Sequence, residues 1–139
     1  MKFLIFACFL VSFASCEPNV EYKRIIQNDS DYDIWIINPF GGPPSNSSDC
    51  RRVTFDSVAI ARKTSYSIEG GAVNQSVDFF SDCPILCLDT LNSRVHNRDS
   101  LELSISLYPT NSDWEYTVLQ PGDNGACECR LIISNSDIN

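Results

Sequence analysis

The chain holds one histidine and one methionine, only ten Lys and Arg against eighteen Asp and Glu, and no unbroken apolar run long enough for a membrane helix. Each shortage excludes something. A formal charge of −8 at pH 7 repels nucleic-acid phosphates and anionic membrane headgroups, so DNA or RNA binding is not expected. The one histidine, His96, sits in the polar run "SRVHNRDS" between Arg94 and Arg98, and no G-x-S-x-G turn supplies a nucleophile to go with it. Phosphate-cradling loops, dinucleotide fingerprints and C-x-x-C redox pairs are likewise missing. Carboxylates are numerous, but no spacing singles out an acid–base pair. No catalytic constellation is recognisable and no cofactor is implied. An exported hydrolase is the weakest of three readings, with His96 the residue to replace should any activity be found.

What is present begins with the leader, "MKFLIFACFLVSFASCEPN". Lys2 precedes an apolar run from Phe3 to Ala14 and then small residues, the layout of a secretory signal. That run is too short to span a bilayer, which takes roughly 20 residues. Two cleavages compete. Ser12 and Ala14 fit the small-x-small rule of ordinary signal peptidase, which leaves Cys16 as the second mature residue. Ala14 and Ser15 directly before Cys16 also resemble a bacterial lipobox, with Phe13 where an aliphatic residue is usual; there Cys16 becomes the acylated first residue. The brief leader and the polar tether "CEPNVEYKR" favour the second cut. After either cut nine basic residues face eighteen acidic ones, so membrane attachment would come from the lipid, which anchors stably only when two or more chains are attached.

Cysteine parity bears on the choice. Ordinary cleavage leaves six cysteines, Cys16, Cys50, Cys83, Cys87, Cys127 and Cys129, enough for three bridges. Acylation consumes Cys16 and leaves five, so at least one thiol stays free. Cys127 and Cys129 lie two apart on an expected strand, nearly 7 Å from each other and at the limit for bridging one another. They are therefore expected to seek separate partners among Cys50, Cys83 and Cys87, giving two disulfides that pin the last strand to the middle of the domain, each contributing about 2–4 kcal/mol. Zinc held by "CPILC" and "CEC" is the minor alternative, since neither spacing is the usual C-x-x-C knuckle. Three N-x-[ST] sequons, at Asn28, Asn46 and Asn74, point instead to a glycosylated secreted protein if the source is eukaryotic.

Residues 16–139 suffice for one domain and not two, and their patterning has period two. "LELSISL" alternates Leu101, Leu103, Ile105 and Leu107 with polar residues. "YKRIIQ" and "YDIWIIN" read as strands separated by "NDSD", and "SVAIARKTSYSIEGG" as strand segments ending at a Gly70-Gly71 turn. In "WEYTVLQPGDNGACECRLIIS" two strands flank an Asn124-Gly125 hairpin signal. With no amphipathic helix of useful length, seven to nine short strands predict an all-β fold: an antiparallel sandwich of Ig-like or Greek-key type, or a small barrel. The loop "GGPPSNSSD" (41–49) is a candidate contact loop, though a tolerated insertion is the simpler reading. Asp29, Asp31 and Asp33 alternate as in a calcium loop, but Ile34 and Phe40 stand where Gly and Glu are needed. Trp35, Phe40 and Trp114 could line a contact surface, with core packing the commoner fate of such side chains.

At "KRIIQNDSDYDIWI" and "CECRLIISNSDIN" the chain resembles small uncharacterised lipoproteins of Bacteroidota-type bacteria. These open with a lipidated Cys and a strand ending in N-x-S, and close on a strand followed by an acidic residue and Ile or Leu, here Asp137-Ile138. The resemblance covers the leader, about 15 residues after it and the last dozen. It implies a β domain anchored to the cell envelope, the outer membrane foremost, and no activity. The expectation is thus a signal peptide over 1–15, a tether over 16–21 and a β domain to residue 139. The domain is expected to act as a binding or structural module with a protein or glycan ligand. A secreted, disulfide-bridged protein without the anchor is the runner-up.

Overall fold

A computed structural model describes residues 18–37, 57–82, 91–108 and 112–139. Among these residues seven strands form two sheets: β1 (Val20–Asn28), β2 (Ile34–Ile37), β3 (Ser57–Ile60), β4 (Thr64–Val73), β5 (Asn92–Val95), β6 (Glu115–Gln120) and β7 (Ala126–Ile133). The first sheet runs β4-β1-β7-β6 and the second β3-β2-β5. The sheets do not close on one another, so the all-β expectation holds as a sandwich-like fold and not as a barrel. One pairing departs from an antiparallel plan: β1 and β7 run parallel, with Tyr22 beside Cys127 and Ile26 beside Leu131.

Strand alternation builds the core. β1 turns Val20, Tyr22, Ile26 and Asn28 inward and Glu21 and Lys23 outward; β7 turns Cys127, Cys129, Leu131 and Ile133 inward. Ile34, Ile36 and Ile60 of the second sheet meet Ile26, Ile68, Leu131 and Ile133 of the first, with Leu91, Leu107 and Trp114 completing one cluster. Burial of such side chains contributes roughly 1.5–3 kcal/mol each. A smaller cluster of Val20, Tyr22, Val77 and Cys127 fills the end near the β6–β7 turn.

Two expected features differ. Gly70 and Gly71 make no turn: β4 continues through them to Val73, because β1 pairs with it along its full length, Gly70 opposite Lys23 and Gly71 opposite Tyr22. "LELSISL" keeps its alternation but forms no sheet strand. Leu103 makes a single bridge to Ile138, and Glu102 and Ser104 bond the backbone of Asn139 and Asp137, so this segment zips to the chain's last residues instead. The Asn124-Gly125 signal does mark the β6–β7 hairpin. A Cβ at Gly125 would stand 2.5 Å from the Gln120 carbonyl, so only glycine fits there.

Polar groups lock the crossovers. Asn28, wholly buried, donates from Nδ2 to the carbonyls of Tyr32 (2.7 Å) and Ile60 (3.1 Å) and accepts the Ser30 hydroxyl at 2.6 Å. It ties the β1–β2 crossover to the end of β3. Between the two apolar clusters an ionic row crosses the inner face of the first sheet. Glu69, Arg24, Cys129 and Tyr116 lie side by side on β4, β1, β7 and β6. Arg24, 1 % exposed, pairs with Glu69 at 3.7 Å and lies 4.8 Å from the ring centroid of Trp114. A bulge at Ile68 turns both Ile68 and Glu69 into the interior.

Candidate functional site

The exposed face of the three-stranded sheet carries the candidate site. Strand parity turns Ile34 and Ile36 into the core and Trp35 outward, in the middle strand of three. Trp35 faces Ala59 of β3 on one side and Arg94 of β5 on the other. Ala59 and Arg94 are exposed and Trp35 is half-buried. The indole N–H of Trp35 donates to Nδ1 of His96 at 2.7 Å, and the Arg94 guanidinium lies 5.6 Å from the indole centroid. The two rings sit 5.9 Å apart, tilted by 39°. The indole is thus fixed by a hydrogen bond at its edge and a cation over its face.

The backbone holds this arrangement in place. His96 N–H donates to the Asp33 carbonyl at 2.8 Å, fastening the turn after β5 to the start of β2. Asn97 adopts a left-handed conformation with φ 55°, as asparagine tolerates in turns. Arg98 N–H bonds Val95 O, and Leu101 N–H bonds Arg98 O. Beside the platform, along β5, runs a cleft of about 340 Å³ lined by Arg94, Arg98, Asp99, Leu101 and Glu102 among others. Arg94 belongs to both the platform and the cleft. Among the described residues, neither Arg94 nor Arg98 forms a salt bridge.

Of the residues singled out by sequence, His96 thus bonds an indole through Nδ1, the position a hydrolytic triad would use for its orienting carboxylate. Trp35 faces outward while Trp114 is buried, its indole N–H on the Tyr108 carbonyl at 3.1 Å. Asp29, Asp31 and Asp33 diverge to separate partners: Gln27 for Asp29, Lys63 and Asn135 for Asp31, and the backbone N–H of Arg62 for Asp33. No group of three metal-binding side chains occurs among the described residues. Cys16, Cys50, Cys83, Cys87, Phe40, Asn46 and the 41–49 loop lie outside the described residues. Asn74 is exposed, but Asn28, with its amide consumed by two carbonyls, cannot carry a glycan on the folded domain.

The cysteines of β7 require a correction. Cys129 is disulfide-bonded, but Cys127 is a buried free thiol. The expectation of a bridge from each therefore fails at Cys127. Val20, Tyr22 and Val77 pack with its side chain, and Tyr116 packs against the same cluster. Burial pushes the thiol pKa up, partly offset by the Tyr116 hydroxyl. Burial, and then the neighbouring Cys127, push Tyr116 up to about 12.

No family model, curated protein or solved structure matches the chain. Sequence alone places His96 between Arg94 and Arg98 and leaves Trp35 unconnected to them. The β2–β5 register, which places Trp35 opposite Arg94, makes the connection.

Proposed function

We propose that this chain is an exported β-sandwich domain, lipid-anchored to the bacterial cell envelope through Cys16, that acts as a binding module through its Trp35 face. The observation that carries the anchor is the free thiol of Cys127. With Cys127 unbridged, ordinary cleavage leaves five other cysteines, and an odd set cannot pair completely. Acylation of Cys16 resolves the count, leaving Cys50, Cys83, Cys87 and Cys129 for two bridges. The buried amide of Asn28 removes one of three sequons from the secreted, glycosylated alternative.

The binding role rests on Trp35. A tryptophan in the outward row of a central strand, held by His96 and Arg94, contributes little to the core but offers a rigid aromatic surface. Replacing Cys16 with Ser tests the anchor. The wild-type protein is expected to partition into detergent and to carry acyl mass on its N-terminal Cys, while Cys16→Ser stays unprocessed and unlipidated. A variant that still matures and remains membrane-bound ends the lipoprotein reading and leaves the secreted one.

A further inference from the structure

Building on the reading of the Trp35 face as a binding surface, we infer that it takes an acidic saccharide: a sugar ring against the indole, its carboxylate on Arg94 and Arg98, and its hydroxyls on Asp99 and Glu102. Three observations converge. The indole is immobilised before any ligand arrives, by His96 at its edge and Arg94 at its face, and its neighbour on β3 is the small Ala59. The indole is half-buried, and its exposed part can meet a flat C–H face such as a pyranose presents. Arg94 and Arg98 both line the adjoining cleft, and neither is ion-paired among the described residues. A guanidinium is a planar fork of donors suited to a carboxylate.

The third observation selects among anions. Asp99 and Glu102 line the same cleft as the two arginines. A ligand bearing only carboxylates, such as an acidic peptide, meets repulsion there as well as attraction, and a polyphosphate also meets the chain's net charge of −8. A neutral sugar satisfies the acceptors and can accept singly from the guanidinium donors, but it offers them no charge-assisted bidentate partner. A uronic or sialic acid brings both one carboxylate for the arginines and several hydroxyls for Asp99 and Glu102. The cleft, at about 340 Å³, is at the small end of ligand-sized pockets, which suits one or two sugar residues. Its backbone is held by the Val95–Arg98 and Arg98–Leu101 bonds, so binding has chiefly side chains to order.

The test uses the exported protein in calorimetry and tryptophan-fluorescence titrations against three kinds of probe: a panel of uronic- and sialic-acid oligosaccharides, their neutral counterparts, and hexaglutamate. An acidic oligosaccharide is expected to bind and shift Trp35 emission, its neutral counterpart to bind about tenfold or more weakly, and hexaglutamate not to bind. Arg94→Ala and Trp35→Ala are each expected to weaken binding at least about tenfold, with Arg94→Lys intermediate because it keeps the charge and loses the fork. Unchanged thermal melts show that these outward-facing variants are folded. Equal affinity for acidic and neutral sugars, or no acidic sugar bound, overturns the inference. Hexaglutamate bound in a Trp35-dependent way overturns the saccharide but leaves the face a binding surface. The Cys16→Ser partition reads the anchor separately from all of these outcomes.

Discussion

Glu69→Gln is expected to be among the most damaging single substitutions in the domain, although it changes almost no volume. Its carboxylate lies 3.7 Å from the guanidinium of Arg24, and both side chains are 1 % exposed. At an effective dielectric of about 20, two unit charges at that distance attract by about 4.5 kcal/mol. Desolvating both charges offsets most of that, so the pair itself adds little net stability. Breaking it is another matter. Arg24 remains buried on the inner face of the sheet, its pKa already lowered by desolvation and held up chiefly by Glu69. Trp114 still offers its ring at 4.8 Å, but a ring does not replace a carboxylate. The expected loss is about 3–5 kcal/mol for Glu69→Gln and a similar amount for Arg24→Met, which takes the guanidinium away from the buried Glu69 carboxylate. The double variant, an apolar side chain beside a neutral amide, is expected to recover most of that. Urea unfolding of the four proteins, with m-values checked for constancy, gives the coupling energy. Single losses below about 1 kcal/mol, or a double variant that sums the singles, would refute the account of this row.

Other expectations are narrower. Gly125→Ala pushes a methyl into the carbonyls of Gln120 and Gly122 and should cost about 1–3 kcal/mol in urea melts, displacing the β6–β7 turn. Asp31 is held below the usual carboxylate value first by the Asn135 amide and then by Lys63. Its contribution is therefore complete above the ordinary value of about 3.9 and fades as pH falls through the lowered folded value, so the wild type's advantage over Asp31→Asn should vanish in acid. Tyr116 shifts the other way. Raised to about 12, it stabilises the fold fully below its ordinary value of about 10 and loses that contribution as pH climbs towards 12. A near-ultraviolet alkaline titration should show one late tyrosine that is absent from Tyr116→Phe.

Much of the fold is legible as alternation. β1, β2, β6 and β7 follow from period-two patterning, and the hairpin from Asn124-Gly125, because those signals act over neighbouring residues. Long-range pairing is not local. Nothing in "LELSISL" reveals that its partner is the chain's end, or that β7 lies parallel to β1. Arg24 illustrates a signal present but easily misread. Its charge suggests solvent, yet it shares parity with Val20, Tyr22 and Ile26, and parity wins because Glu69 comes inward at a bulge to meet it. Trp35, for which core packing is the commoner expectation, faces outward instead, since Ile34 and Ile36 claim the core face. Its neighbours Arg94 and His96 come from some sixty residues away, and only the β2–β5 register assembles them. Likewise the spacing of Cys127 and Cys129 correctly sets them apart, while the burial of Cys127 as a free thiol among Val20, Tyr22 and Val77 is a property of the packed cluster.

The anchor is tested most directly by counting thiols and acyl groups on one molecule. The exported protein is unfolded without reduction, alkylated, and weighed intact and by peptide. The account predicts acyl mass on Cys16 and one alkylated thiol, at Cys127, with Cys50, Cys83, Cys87 and Cys129 paired. A chain that begins at Ser15, carries no lipid and shows an even number of free thiols contradicts it.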